Sequence, residues 1–266
     1  MRVVAALIVA LCAPLGAAAQ MAEALSVAAG ADVVILGEAH DNPDHHAVQA
    51  AFVAGIAPAA IVFEMLDAAQ AGAITPDLLA NEAALEATLG WEASGWPDFS
   101  MYYPIFEAAG DAAFYGAAVP RAKARASMSA GVVAAFGPEA GLYGLDSPLE
   151  AAEQETREAM QMAAHCDAMP VEMLPAMVDI QRLRDARLAQ VAVTAMRETG
   201  GPVVVITGNG HARADWGVPV YIMRAAPELS VFTLAQGEDG RPPPGVFDAV
   251  LDAPAPDRPD PCLAFQ

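Results

Sequence analysis

The sequence predicts an α/β fold: a mostly parallel central sheet with helices on both faces and a helical insertion late in the chain. Three observations carry this expectation. The runs Val33-Val34-Ile35-Leu36 and Val203-Val204-Val205-Ile206-Thr207 are β-branched and apolar almost throughout, the pattern of strands covered on both faces. Helix-length segments separate the predicted strands, as crossover connections require. The chain has 266 residues, enough for one such domain with an insertion.

Residues 1–19 read as an export signal. Arg2 is the charged start, Val3 to Leu11 the apolar core, and Ala17-Ala18-Ala19 a small-residue cleavage site before Gln20. The apolar run is too short for a permanent span, so an exported, periplasmic or cell-envelope protein is expected. Peripheral membrane association stays open. Leu11 suits lipid processing at Cys12 poorly, so a lipid anchor there is not expected.

The first strand is Val33 to Leu36. Pro43 then opens a helix, with Asn42 or Asp41 as cap, that runs to about Gly55. Ala60 to Glu64 is the second strand. Thr75-Pro76 begins a helix through Asn81 to Leu89, broken at Gly90. A tryptophan-rich loop, Trp91 to Asp98, leads to a short helix around Tyr103-Pro104-Ile105-Phe106, and Ala112 to Val119 is the third strand. Pro120 to Ala130 is a basic helix. Ser147-Pro148-Leu149-Glu150 has the spacing of a capping box for a helix to about His165. A long helix from Pro175 ends near Gly200. Strands return at Val203 to Thr207, Val218 to Met223, Leu229 to Leu234 and near Phe247 to Leu251. Residues 20–252 are thus expected to form a single α/β domain with its helical insertion at about 147–200. Residues 253–266 form an irregular tail rich in Pro and Asp.

The formal net charge of −20 excludes a nucleic-acid partner, because phosphate contacts need clustered cations. No Lys or Arg occurs between Gln20 and Pro120; positive charge begins at Arg121, Lys123 and Arg125 and recurs at Arg182, Arg184, Arg187 and Arg197. An anionic ligand would therefore be neutralised from the second half or from a partner subunit. Removing Cys12 with the signal leaves Cys166 and Cys262, which either pair in an oxidising compartment or remain two free thiols.

Chemistry concentrates in two loops. Gly37-Glu38-Ala39-His40, continuing to His45-His46, follows the first strand, and Gly208-Asn209-Gly210-His211-Ala212-Arg213 follows a later one. Ligands of open α/β sheets sit at the carboxyl ends of strands, so His40 and His211 are expected in one cavity. Histidines in a helix's first turn, such as His45 and His46, are kept neutral by the helix dipole and so available as ligands; as a surface residue paired with Asp41 or Asp44, His46 has the plainer reading. Glu64 closes the second strand and needs a partner, either a metal, His211 or an arginine such as Arg184. Gln181, Arg184 and Asp185 share one face of the long helix, turned either over the loops or to solvent. Tyr102 and Tyr103 lie in an aromatic patch with Trp96, Phe99 and Phe106, and a phenolate can ligate ferric haem.

GEAHDNPDHH, WPDF…YYPIFEAA, PRAKAR, HCDAMP…MLPAMVDIQRLRDARLA and GNGHARADWGVPVYI together resemble the ChaN-like haem-binding uptake family of the Tiki superfamily, over about Ala31 to Met223. The resemblance implies an envelope protein that binds haem for iron uptake, as a homodimer, with Tyr103 of the YYPI segment as candidate axial ligand. His40, His45 and His211 would assist, and Arg121, Arg125, Arg184 and Arg213 would be available to the propionates. No CxxCH is present, so covalent attachment is not expected. The wider superfamily, through the same paired GxxH segments, implies an alternative: a metal-dependent hydrolase. There His40, Glu64 and His211 would hold a divalent metal ion and Glu38 would be the general base.

Overall fold

The computed structural model describes residues 16–260 and 262–263. The predicted signal core and Cys12 lie outside the described residues. In chain order the described residues form α1 (Ala17–Ala28), β1 (Val33–Glu38), α2 (Pro43–Ile56), β2 (Ala60–Phe63), α3 (Ala68–Gly72), α4 (Pro76–Leu79), α5 (Glu82–Leu89), α6 (Phe99–Glu107) and β3 (Ala113–Gly116). Then come α7 (Arg121–Ala130), α8 (Val132–Phe136), α9 (Ala151–Ala164), α10 (Leu174–Thr199), β4 (Val203–Gly208), α11 (Asn209–Ala212), α12 (Val218–Ala225), β5 (Val231–Glu238) and β6 (Ala249–Ala253).

The strands make one parallel sheet in the order β3-β2-β4-β1-β5-β6. Alternate side chains feed two cores, which is why the central strands are apolar without interruption. Val34, Leu36, Ile61, Phe63, Val204 and Ile206 pack under α1, α2, α5 and α6. Val33, Ile35, Val62, Val203 and Val205 pack under α10 and α12.

The chain leaves β1 across β4 to reach β2, and leaves β4 across β1 to reach β5. The adjacent carboxyl ends of β1 and β4, registered with Glu38 opposite Gly208, are therefore a topological switch point. Both glycine-histidine loops start there.

Three local expectations are corrected. Residues 218–223 are not a strand but most of α12: Pro219 sits in its first turn, and Val218, Tyr221 and Ile222 are buried while Met223 and Arg224 face out, a helical period. The helix from Thr75 is two helices, because Asn81 accepts from Ala84 N and starts a new one. The helix after Ser147 begins at Ala151 with Glu150 as its cap residue and no side-chain cap, so the capping box is not made.

Cys166 and Cys262 form a disulfide, fastening the tail to the turn after α9. Arg258 of the same tail donates to Asp41 at 2.7 and 2.8 Å and to Glu238 at 2.6 and 2.8 Å. None of the described helices is long and apolar enough to cross a membrane.

Candidate functional site

Two buried clusters occupy opposite faces of the sheet's carboxyl end, and His40 stands between them. The first is built on Glu38, the last residue of β1, which is 2 % exposed. Its Oε1 accepts from Tyr102 Oη of α6 at 2.9 Å and from His40 Nδ1 at 2.8 Å, while His46 Nδ1 of α2 lies 3.2 Å from Oε2. His46 Nε2 is 2.9 Å from the carbonyl of His40, which pins the loop from below. Burial alone would raise the Glu38 carboxyl, but hydrogen bonds from His40 and His46 outweigh it and hold it below the usual value. Burial, with the nearby Glu38 charge, pushes the Tyr102 phenol far above its ordinary range, so it stays a donor.

The second cluster is built on Glu64, directly after β2. Its Oε2 accepts from Thr207 Oγ1 at 2.7 Å and from the backbone N–H of Gly208 at 3.0 Å, and its Oε1 lies 3.3 Å from His211 Nε2. On the other side His211 Nδ1 meets Asp185 Oδ1 of α10 at 2.5 Å. Burial disfavours charge on His211, yet Glu64 and Asp185 more than offset it and push the imidazole up to about 10. The Glu64 carboxyl is pulled well down by His211 against the effect of burial, whereas Asp185 is raised by burial. The imidazolium is thus held between two carboxylates, with Asp185 the nearer.

His40 rests on Gly208, where a Cβ would stand 3.0 Å from Nε2 and 3.1 Å from Cε1, so a larger residue there would displace the ring by a few tenths of an ångström. Its side chain is 37 % exposed, and Trp96 meets it edge-on at 4.9 Å between ring centroids. Among the described residues nothing hydrogen-bonds His40 Nε2. Burial acts to lower its pKa, but Glu38 and Glu64 prevail and raise it.

A cleft of about 360 Å³ adjoins these residues. Glu64, Trp96, Arg121 and Arg184 line it, with Met65 and Leu188 as apolar walls. The two loops meet, with His40 against Gly208, but neither His40 nor His211 lines the cleft itself. Glu64 pairs with His211 rather than with Arg184, and the polar stripe of α10 is turned over the loops, since Gln181 and Asp185 both reach His211.

Other sequence candidates are placed differently. His45 is buried; its Nδ1 accepts from Ala39 N at 2.9 Å and its Nε2 donates to Gly237 O at 3.1 Å, so neither nitrogen is left for iron. Tyr103 sends its hydroxyl to Leu79 O at 2.9 Å and has no hydrogen bond or ring contact with His40, Glu64 or His211. Arg213 stacks on Trp216 at 3.4 Å and pairs with Asp215, and Arg125 is exposed on α7 outside the cleft. Among the described residues no group of three or more His, Cys, Asp or Glu is arranged to hold a metal ion.

Tyr102 and Trp96 belong to the expected aromatic patch, but their contacts with Glu38 and His40 were not expected. Phe99, Tyr102 and Phe106 fall on one helical stripe, and a hydroxyl on an inward stripe needs a partner; that signal was available for Tyr102.

The family described as haem-binding uptake, Tiki superfamily, ChaN matches residues 24–222. This chain belongs to that family. Among solved structures it is similar to ChaN of Campylobacter jejuni, described as binding haem cofacially, at 18 % identity and a TM-score of 0.59, covering 81 % of this chain and 85 % of that one. A further match is the type III effector HopBA1, at 12 % identity and a TM-score of 0.46, covering 86 % and 91 %. Comparison with curated proteins finds no match. The ChaN likeness bears out the α/β fold.

Proposed function

We propose that this protein binds haem in the cleft beside His40 and serves haem or iron uptake outside the cytoplasm. The observation that carries the reading is the state of His40. Its Nδ1–H is committed to a buried carboxylate, which fixes the ring and makes Nε2 the more basic atom, the arrangement that supports a metal-bound histidine. His40 would hold haem through its iron, the metal that haem would supply here. Arg121 and Arg184 line the adjoining cleft, which His40 borders through Trp96, and would meet the propionates, and Trp96, Met65 and Leu188 offer apolar contact to the macrocycle. The cleft lies near the lower end of the roughly 300–1,000 Å³ typical of ligand pockets, so a bound porphyrin would keep one face outside it. A second copy covering that face would enclose it as a homodimer.

Hemin titrated into the purified protein should give a shifted Soret band. His40→Ala should weaken binding by roughly 10–100-fold, the range for disturbed metal sites. Tyr103→Phe should leave the band in place; loss there, with His40→Ala silent, would move the haem to the outer face of α6. Because a proton competes with iron at Nε2, affinity should fall on acidification with a midpoint above 6.5, the ordinary imidazole value. An unshifted spectrum with the unaltered protein would end the haem reading. Light scattering with and without hemin tests the dimer, and cell fractionation tests export.

A further inference from the structure

Glu38 receives its hydrogen bonds unevenly. Tyr102 Oη and His40 Nδ1 both donate to Oε1, at 2.9 and 2.8 Å, whereas Oε2 has no hydrogen bond among the described residues. Only His46 Nδ1 approaches Oε2, at 3.2 Å. A buried carboxylate oxygen in that state is costly and calls for a physical reason. The orientation puts both donors on the oxygen that faces His40.

Tyr102 is built to hold the carboxylate that way. Its side chain is fully buried, and its ring meets those of His46 and Trp91, with centroids 4.1 and 4.9 Å away. Trp91 is itself fixed, since its Nε1 donates to Pro97 O at 2.7 Å. The other acceptor near the phenol, the His40 carbonyl, lies at 3.5 Å, the limit of hydrogen-bond range, so Glu38 is its partner. Two donors on one oxygen each draw on the same lone-pair density. Without the Tyr102 hydroxyl, Oε1 would serve His40 alone, and the stronger bond to Nδ1–H would make Nε2 more basic.

We infer that Tyr102 is a positioning residue: it aims the Glu38 carboxylate at His40 and moderates how strongly that carboxylate draws the Nδ1 proton. It acts through Glu38 and not on a ligand directly. The extension to iron rests on the haem reading. A more basic axial nitrogen favours ferric over ferrous iron, so Tyr102 would keep that preference below the level Glu38 alone would set.

Proton magnetic resonance of the full disulfide-bonded protein without haem tests the positioning. The His40 Nδ1–H resonance, identified by its loss in His40→Ala, should move to lower field in Tyr102→Phe and to higher field in Glu38→Gln. Spectroelectrochemical titration of the hemin complex tests the extension. Glu38→Gln should reduce the preference for ferric iron roughly tenfold, within the range for altered partners of a metal-bound histidine; for one electron that raises the midpoint by about 59 mV. Tyr102→Phe should move the midpoint the opposite way, whereas disturbed packing would shift both variants alike. Circular dichroism and Tm check that both fold. A resonance that stays in place in Tyr102→Phe would overturn the inference, and so would midpoints that are unchanged or shift with one sign. If the resonances move as expected but hemin gives no shifted Soret band, the haem reading and the iron preference fall while the positioning of His40 stands.

Discussion

His211 shows how one residue's titration ties the site to stability. In the folded protein its pKa is about 10 against 6.5 for an ordinary imidazole. The stability it contributes is therefore complete below about pH 6.5 and is lost as pH rises through about 10. Glu64 has the opposite sign: its carboxyl is held below the usual 4.5, so its contribution is complete above 4.5 and lost on acidification. We expect His211→Gln to lower the Tm at pH 7, since breaking a buried pair typically costs about 3–5 kcal/mol. Its Tm should also fall less between pH 7 and 10 than that of the unaltered protein, and thermal melts across that range check both. An equal alkaline slope in the two proteins would mean that His211 is neutral in the fold.

At the scale of elements, legibility followed the strength of local signals. The Asn42 cap and Pro43 start of α2 were readable because both act within one turn; Asn42 Oδ1 accepts from Asp44 N at 3.0 Å. The same side chain also donates to Glu238 Oε1 at 2.8 Å and to Pro254 O at 3.0 Å, long-range bonds that no local pattern encodes. Asn42→Ala should therefore cost at least the 1–2 kcal/mol or so of a lost cap, measured by urea unfolding. Residues 218–223 misled because β-branched composition favoured a strand, whereas Pro219 and burial on one side made a helix. The loops of the site were legible from glycine and histidine placed after apolar strands. Tyr102 and Trp96 were legible as an aromatic patch but not as partners of Glu38 and His40, because those contacts depend on how α6 and the loop before it fold back over the sheet.

Over the whole molecule, the pairing of Cys166 with Cys262 resolves what two cysteines alone left open. It closes a separation of 96 residues. Chain entropy assigns such a loop about 4–5 kcal/mol, with about 2–4 usual in practice. Cys166→Ser should lower the unfolding free energy by an amount in the usual range, and equilibrium denaturation of the oxidised and altered proteins measures it. The sheet order, which places β4 between β2 and β1, could not be read from any one strand, since every strand there is equally apolar. That order has a further meaning. The backbone departs from β1 and β4 in opposing directions, yet His40 of one loop rests on Gly208 at the root of the other, so the two loops form one coupled rim above the sheet. New side chains can be installed over a common floor while the barrier of valines beneath goes untouched. Such a scaffold lets the chemistry of its rim change through local edits while the core beneath stays the same.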